Sequence, residues 1–150
     1  MNPFKNVKIL AKTVLYIAWI TSTVATFGSL YFSEILHFPP CVLCWYQRIF
    51  MYPLVLILAV GILRKDKSVY VYALPLSAIG SLIALYHSLL YWKIIPESAA
   101  PCTAGISCTT KFIEWFGFVT IPFLSFAGFL LITGCMGVFW WLSRSKPGND

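Results

Sequence analysis

The sequence predicts an all-α integral membrane protein, a bundle of four transmembrane helices. The first observation is composition: 59% of the residues are hydrophobic and only 11% are charged, whereas soluble domains carry about 25% charged residues. The second is the presence of four long apolar runs in 150 residues. About 20 apolar residues in a helix cross the roughly 30 Å of membrane hydrocarbon. A chain of this length has room for a single domain, covering residues 1–150.

The four runs are predicted to be helices because an open sheet would leave backbone groups unpaired in lipid. They cover residues of about 13–32, 44–63, 68–92 and 119–142. The lysines before the first run resemble a signal peptide, but the run is long and no cleavage site of small residues follows it, so a retained helix is predicted. Prolines within the runs are expected to kink a helix or to begin one; these are Pro53, Pro75 and Pro122.

The basic residues predict the orientation. If all four helices span, eight of them share one side: Lys5, Lys8, Lys12, Arg64, Lys65, Lys67, Arg144 and Lys146. Because basic loops stay in the cytoplasm, both termini are predicted to be cytoplasmic, and loops of about 33–43 and 93–118 extracytoplasmic. The basic residues form short clusters at segment ends, which is not typical of nucleic-acid binding. Aromatic residues crowd the same ends and are expected to contact membrane lipid.

Two cysteine pairs fall in the outer loops, where disulfides persist. Cys41 and Cys44 have the C-x-x-C spacing of thiol–disulfide oxidoreductases. The prolines before them prevent helix formation, so the second helix is expected to begin near the pair, where the helix dipole favours thiolate. The second pair is Cys102 and Cys108, in a loop rich in small, turn-forming residues. Cys135 lies inside the last run and is expected to pack as a small apolar residue.

Three polar residues accompany the first pair. Cys41, Cys44 and Arg48 are spaced three and four apart, so they share one helix face. A guanidinium there stabilises a thiolate or a reduced carrier, although it could instead reach the lipid head groups. Gln47 offers a hydrogen bond beside it. His87, at a comparable depth in the third run, could exchange protons with a carrier or simply make a hydrogen bond.

Other uses of the cysteines fit less well. Haem attachment requires a histidine directly after the second cysteine, and Trp45 stands there. Structural zinc favours two closely spaced pairs, and five residues separate Cys102 from Cys108. No metal site is therefore predicted. Permanent disulfides that brace an interaction surface remain an alternative.

Residues 111–118 mix apolar and charged side chains and are expected to lie on the membrane surface as a short amphipathic helix.

A known family matches this combination. Residues 40–48, Pro-Cys-Val-Leu-Cys-Trp-Tyr-Gln-Arg, open the second helix, a second cysteine pair follows in the next outer loop, and Ile-Pro-Phe at 121–123 opens the last helix. The chain resembles the disulfide bond formation protein B (DsbB) family, most closely its compact Gram-positive-type members. The resemblance implies a thiol:quinone oxidoreductase of the cell membrane. Its expected partners are an extracytoplasmic thioredoxin-fold oxidase with a C-x-x-C and the quinone pool, menaquinone or ubiquinone.

The resemblance also implies an order of events. The partner's thiolate attacks Cys102, Cys108 then attacks Cys41, and Cys44 is left as a thiolate against the quinone, polarised by Arg48. Two features depart from the better-known members: the gap within the second pair is short, and Gln47 replaces an acidic residue. We therefore expect little sliding of Cys108 and an altered quinone affinity.

A quinone reductase of the vitamin K epoxide reductase type is a further alternative. That type carries its C-x-x-C at the start of the last helix, where this chain has Ile121 and Pro122.

Overall fold

The computed structural model describes residues 3–96 and 120–144. Within these ranges there are four helices long and apolar enough to cross a membrane, and no strand. They are α1 (Pro3–Leu30), α2 (Val42–Arg64), α3 (Tyr70–Tyr91) and α4 (Ile121–Arg144). A π-helical turn, Tyr31–Ile35, extends α1. The prediction of an all-helical protein with four possible spans is confirmed, while the orientation of the termini stays a prediction.

The helix ends follow local chemistry. α1 begins at Pro3 and not near residue 13, since the lysine-rich stretch before the apolar run consists largely of good helix formers. α2 begins directly after Cys41, whose sulfur accepts the Cys44 backbone N–H at 3.3 Å and so caps the helix. At the start of α4, the Thr120 hydroxyl accepts the Phe123 backbone N–H at 3.4 Å. Pro122 stands in the first turn of α4, where a missing N–H costs little.

Each helix packs against two neighbours in a closed cycle, α1 with α2, α2 with α3, α3 with α4 and α4 with α1, while α2 and α4 touch only slightly. The tightest approach is between α3 and α4. A methyl group added at Gly80 would lie 2.6 Å from two ring carbons of Phe129 and nearer still to a third. Because Gly80 has no side chain, the Phe129 ring can fill this space and become fully buried.

Several hydroxyl groups inside the bundle bond to their own helix, whereas Nε1 of Trp19 and the hydroxyls of Thr26 and Tyr52 are buried without a hydrogen-bond partner among the described residues. The hydroxyls of Ser22, Ser77 and Ser88 each donate to a carbonyl of their own helix, at 2.8, 3.1 and 2.9 Å. Thr133 donates to the Phe129 carbonyl at 2.8 Å and lies 3.4 Å from the Ser81 hydroxyl, which links α3 to α4. These bonds remove the cost of burying hydroxyl groups away from water.

The outer faces of the helices are apolar. Val24 is 65% exposed, Leu56 is 70% exposed and Leu63 is 80% exposed. A helix that is hydrophobic on all sides belongs in a membrane or in the core of a larger protein. Together with the lengths of the four helices, these faces indicate a multi-pass membrane protein.

The second cysteine pair, Cys102 and Cys108, lies outside the described residues. So does the segment 111–118 that the sequence predicts to be amphipathic.

Candidate redox site

The first cysteine pair stands at one end of the bundle, where the chain enters α2. The sulfurs of Cys41 and Cys44 lie 2.8 Å apart, and both residues are free thiols. Cys41 is buried and Cys44 is half-buried. Their positions follow from the helix start, because the extended Cys41 caps the helix and Cys44 lies one turn later. Two reduced sulfurs at this distance need only a small movement to form a disulfide.

Hydrogen bonds converge on the Cys41 sulfur. The pKa of Cys41 is lowered to about 4, chiefly by the hydrogen bond from the Cys44 side chain; burial opposes this shift, and His87 adds to it through a hydrogen bond and its charge. Cys41 is therefore the better stabilised thiolate when both cysteines are reduced. The resemblance implied a Cys44 thiolate, but for a different state, in which Cys41 is already joined to Cys108.

His87 reaches the pair from α3. Its side chain is 2% exposed, its Nε2 lies 3.8 Å from the Cys41 sulfur, and its Nδ1 lies 3.0 Å from the Gln47 amide nitrogen. Gln47 is itself buried, at 6% exposure. The sequence placed Gln47 beside Arg48 as a lost countercharge. Its side chain instead faces His87 in the next helix, so its closest polar partner is the imidazole.

Arg48 lies about one helical turn after Cys44 and is held by contacts with α1 and with Trp45. Its Nη2 donates to the Ser29 carbonyl of α1 at 3.2 Å, and its guanidinium lies 5.4 Å from the centre of the Trp45 ring. Both contacts hold the guanidinium against the bundle. Because only one of five guanidinium N–H groups is used in this contact with Ser29, others can reach a ligand.

A cavity of about 530 Å³ opens beside the cysteines. All four helices contribute to its wall, and most of the wall is apolar. The predicted site residues Cys41, Cys44, Gln47, Arg48 and His87 all line it. Drug-sized ligands typically occupy pockets of about 300–1,000 Å³ with apolar walls and a few polar groups. The structure therefore brings five of the seven predicted site residues to one cavity; the other two lie outside the described residues.

Parts of the wall were not predicted from the sequence. Thr21 and Ser29 of α1, Tyr52 of α2 and Ser125 of α4 also line the cavity. Only Tyr52 carried a signal, because it lies four residues after Arg48 on the same helix face. The α1 and α4 residues are far away along the chain, and helix packing alone brings them to the cysteines.

Comparison with known proteins identifies relatives of this sequence. A family model described as "Disulfide bond formation protein DsbB" matches residues 11–141. "Probable disulfide formation protein C 1" of Bacillus anthracis is 53% identical over 122 residues, covering 81% of this chain and 87% of that protein. "Disulfide bond formation protein C" of Bacillus subtilis (strain 168) is 48% identical over 118 residues, covering 79% of this chain and 86% of that protein. No solved structure gives a significant match.

These matches extend over most of the chain and include the C-x-x-C pair, α2, α3 and most of α1 and α4. They favour a redox role for the cysteines over the alternative of permanent braces. The chain belongs to the DsbB family of disulfide bond formation proteins, a family of membrane disulfide oxidoreductases.

Proposed function

We propose that this protein is a thiol:quinone oxidoreductase that reoxidises an extracytoplasmic thioredoxin-fold thiol oxidase and so supports disulfide formation in exported proteins. One observation carries the proposal: the Cys41–Cys44 pair opens into a largely apolar cavity at the end of a membrane-spanning bundle. A protein that only exchanged disulfides between soluble partners would need no such cavity beside its thiols.

The cavity suits a quinone head group. Its volume, about 530 Å³, and its apolar wall fit a flat lipophilic ring. Cys44 lies in the wall as the half-buried cysteine, and Arg48 supplies a cation held by Ser29 and Trp45. When bound, the quinone supplies the acceptor for two electrons and two protons. We assign Arg48 the role of holding an oxygen of the quinone ring. Gln47 and His87 form the polar part of the cavity wall nearest the cysteines.

The chain's own chemistry is the oxidation of a dithiol. Cys41 and Cys44 lose two electrons and two protons as their S–S bond forms. The Cys41 sulfur is the more readily ionised of the two when both are reduced, because the Cys44 thiol and the Cys44 backbone N–H both donate to it. His87, with Nε2 3.8 Å away, is placed to take or hold a proton at that sulfur. Arg48 favours negative charge at the Cys44 end.

The outer pair connects this site to the partner. In the proposed sequence a partner thiolate attacks the Cys102–Cys108 disulfide at Cys102, and Cys108 leaves as a thiolate. The partner's second thiol resolves the mixed disulfide, and the electron pair now resides on Cys102 and Cys108. Cys108 then attacks Cys41 of the inner disulfide, and Cys102 closes the outer disulfide again while Cys41 and Cys44 become reduced. Each exchange moves two electrons and leaves the number of disulfides unchanged.

The proposed location is the cell membrane, with both termini in the cytoplasm and both cysteine pairs on the extracytoplasmic face. The bias of lysine and arginine towards the other side supports this orientation. Disulfides also persist on that face and not in the cytosol.

Trapping tests the proposal directly. A reduced thioredoxin-fold partner whose second C-x-x-C cysteine is replaced by Ala should accumulate as a mixed disulfide with Cys102 of the otherwise unchanged protein. Its one thiolate opens the Cys102–Cys108 disulfide, Cys108 leaves as a thiolate, and no second partner thiol remains to resolve the adduct. The control is the Cys102→Ala, Cys108→Ala double variant, which should form no adduct. Purified wild-type protein should also reduce a soluble quinone when supplied with the reduced partner. Absence of both the adduct and the quinone reduction would refute the proposal.

A further inference from the structure

Cys41, Cys44 and His87 form a compact triangle of metal-binding atoms. The two sulfurs lie 2.8 Å apart, Nε2 of His87 lies 3.8 Å from the Cys41 sulfur, and all three atoms lie within 4.8 Å of one another. Two of the atoms come from the start of α2 and the third from α3. The spacing of the cysteines argued against a zinc site. The sequence did not indicate this triangle, because its third member, His87, is distant along the chain and is brought to the cysteines by helix packing.

Two sulfurs and one imidazole nitrogen are the protein ligands of one class of zinc site that keeps an open fourth position. We propose that the reduced Cys41–Cys44 pair, together with His87, binds one thiophilic d10 cation of the Zn²⁺ class, and that the disulfide form does not. Binding forms two metal–sulfur bonds and one metal–nitrogen bond, and any proton still held by either thiol leaves. No electrons move. Two thiolates cancel the charge of the cation, so the site remains neutral at the membrane edge.

The distances fit such a site after one small movement. A tetrahedral zinc about 2.3 Å from each sulfur and about 2.0 Å from nitrogen places the sulfurs about 3.8 Å apart and a sulfur about 3.5 Å from the nitrogen. The observed Cys41–His87 separation, 3.8 Å, is already close to this value. The sulfurs must separate by about 1 Å, and the Cys44 sulfur, which lies within 4.8 Å of Nε2, must come to about 3.5 Å from it. Rotation of the half-buried Cys44 side chain is the movement required. The fourth position then opens on the cavity.

Gln47 is placed to hold the ligating histidine in position. A ligating histidine usually donates its other ring N–H to a nearby acceptor, which fixes the ring and its tautomer. Nδ1 of His87 lies 3.0 Å from the buried Gln47 amide. Turned about its last bond, that amide presents its oxygen to Nδ1–H and leaves Nε2 free to face the metal. Because Gln47 is uncharged, it preserves the neutrality of the site.

The functional consequence is inhibition of the reduced state. A bound cation occupies both sulfurs that must form the next disulfide, so the enzyme stops after it has been reduced. This inference needs no quinone and no partner, and it therefore stands or falls separately from the proposed function.

Cadmium is a suitable probe because cadmium thiolates absorb in the ultraviolet. The protein is purified with Cys102, Cys108 and Cys135 replaced by Ala, so that only the inner pair remains. Anaerobic titration of the reduced form with Cd²⁺ should give a thiolate-to-metal band that saturates at one equivalent, with release of the thiol proton of Cys44. The oxidised form should give neither signal. This comparison requires no substitution in the site itself.

Two variants test the other ligands. His87→Asn should weaken Cd²⁺ binding at least 10-fold, and Gln47→Leu should weaken it about 10- to 100-fold. The matched control is His37→Asn, which changes the other histidine of the chain, at a loop position with φ 52 that Asn tolerates. No band in the reduced protein, or equal uptake by the oxidised protein, would overturn the proposal. Unchanged affinity in His87→Asn would overturn the three-ligand site.

Discussion

Replacing Arg48 by Gln should separate quinone binding from thiol exchange. The Arg48 guanidinium lines the cavity and is held by the Ser29 carbonyl at 3.2 Å and by the Trp45 ring at 5.4 Å. A hydrogen bond from a charged donor contributes about 1.5–3 kcal/mol. At about 1.4 kcal/mol for each tenfold change, its loss corresponds to a rise of about 10- to 150-fold in the KM for quinone. Arg48→Lys keeps the positive charge but loses the planar guanidinium, so its KM for quinone should lie between those of the unchanged protein and Arg48→Gln.

The assay measures two rates on the same purified protein. Steady-state reduction of a soluble quinone gives the KM, and a single turnover without quinone gives the rate at which a reduced partner transfers electrons to the cysteines. In Arg48→Gln only the KM for quinone should change, and the rate of electron transfer from the reduced partner to the cysteines should stay the same. The matched control is Arg144→Gln, because Arg144 also stacks on a tryptophan, with its guanidinium 4.8 Å from the Trp140 ring, at the other end of the bundle. Equal losses in both rates would mean that Arg48 only anchors the helix, and the reasoning would be refuted.

Three other predictions follow from packing. Gly80→Ala should destabilise the protein by about 1–3 kcal/mol, measured by thermal unfolding in detergent, since the added methyl meets the Phe129 ring. Gly134→Ala, with open space at the same kind of helix position, should be neutral or slightly stabilising, and equal losses in the two variants would contradict the packing argument. Cys135→Ala should keep full quinone turnover, because Cys135 packs in the interior cluster and does not line the cavity; a loss of turnover would assign it a redox role.

The sequence was a good guide to the helices because each one is set by local chemistry. Apolar length defines the spans, and Pro39 and Pro40 place the start of α2 at the cysteines. Helix α1 extends beyond the predicted apolar run to Pro3, because hydropathy indicates the run and not the helical residues before it. The spacing of Cys41, Cys44 and Arg48 also predicted a shared helix face, and all three residues line the same cavity.

The contacts between helices could not be predicted in the same way. Gln47 directly precedes Arg48 in the sequence, where an acidic residue would have been a countercharge to the guanidinium. In the structure its side chain instead lies 3.0 Å from His87. Ser29 supports Arg48 through its backbone carbonyl, which no side-chain pattern can indicate. Both contacts depend on how the helices rotate about their axes, and that rotation is decided by the packing of the whole bundle.

The proposed function depends on electron transfer from the Cys41–Cys44 pair to a quinone in the adjacent cavity. A single-turnover measurement under anaerobic conditions tests it most directly. Protein with Cys102 and Cys108 replaced by Ala is reduced, freed of reductant and mixed with a soluble quinone. The account predicts loss of one quinone for each protein molecule, together with loss of two free thiols, and no reaction in the same protein with Cys44→Ser. Unchanged quinone, or equal reduction in the Cys44→Ser variant, would contradict the account.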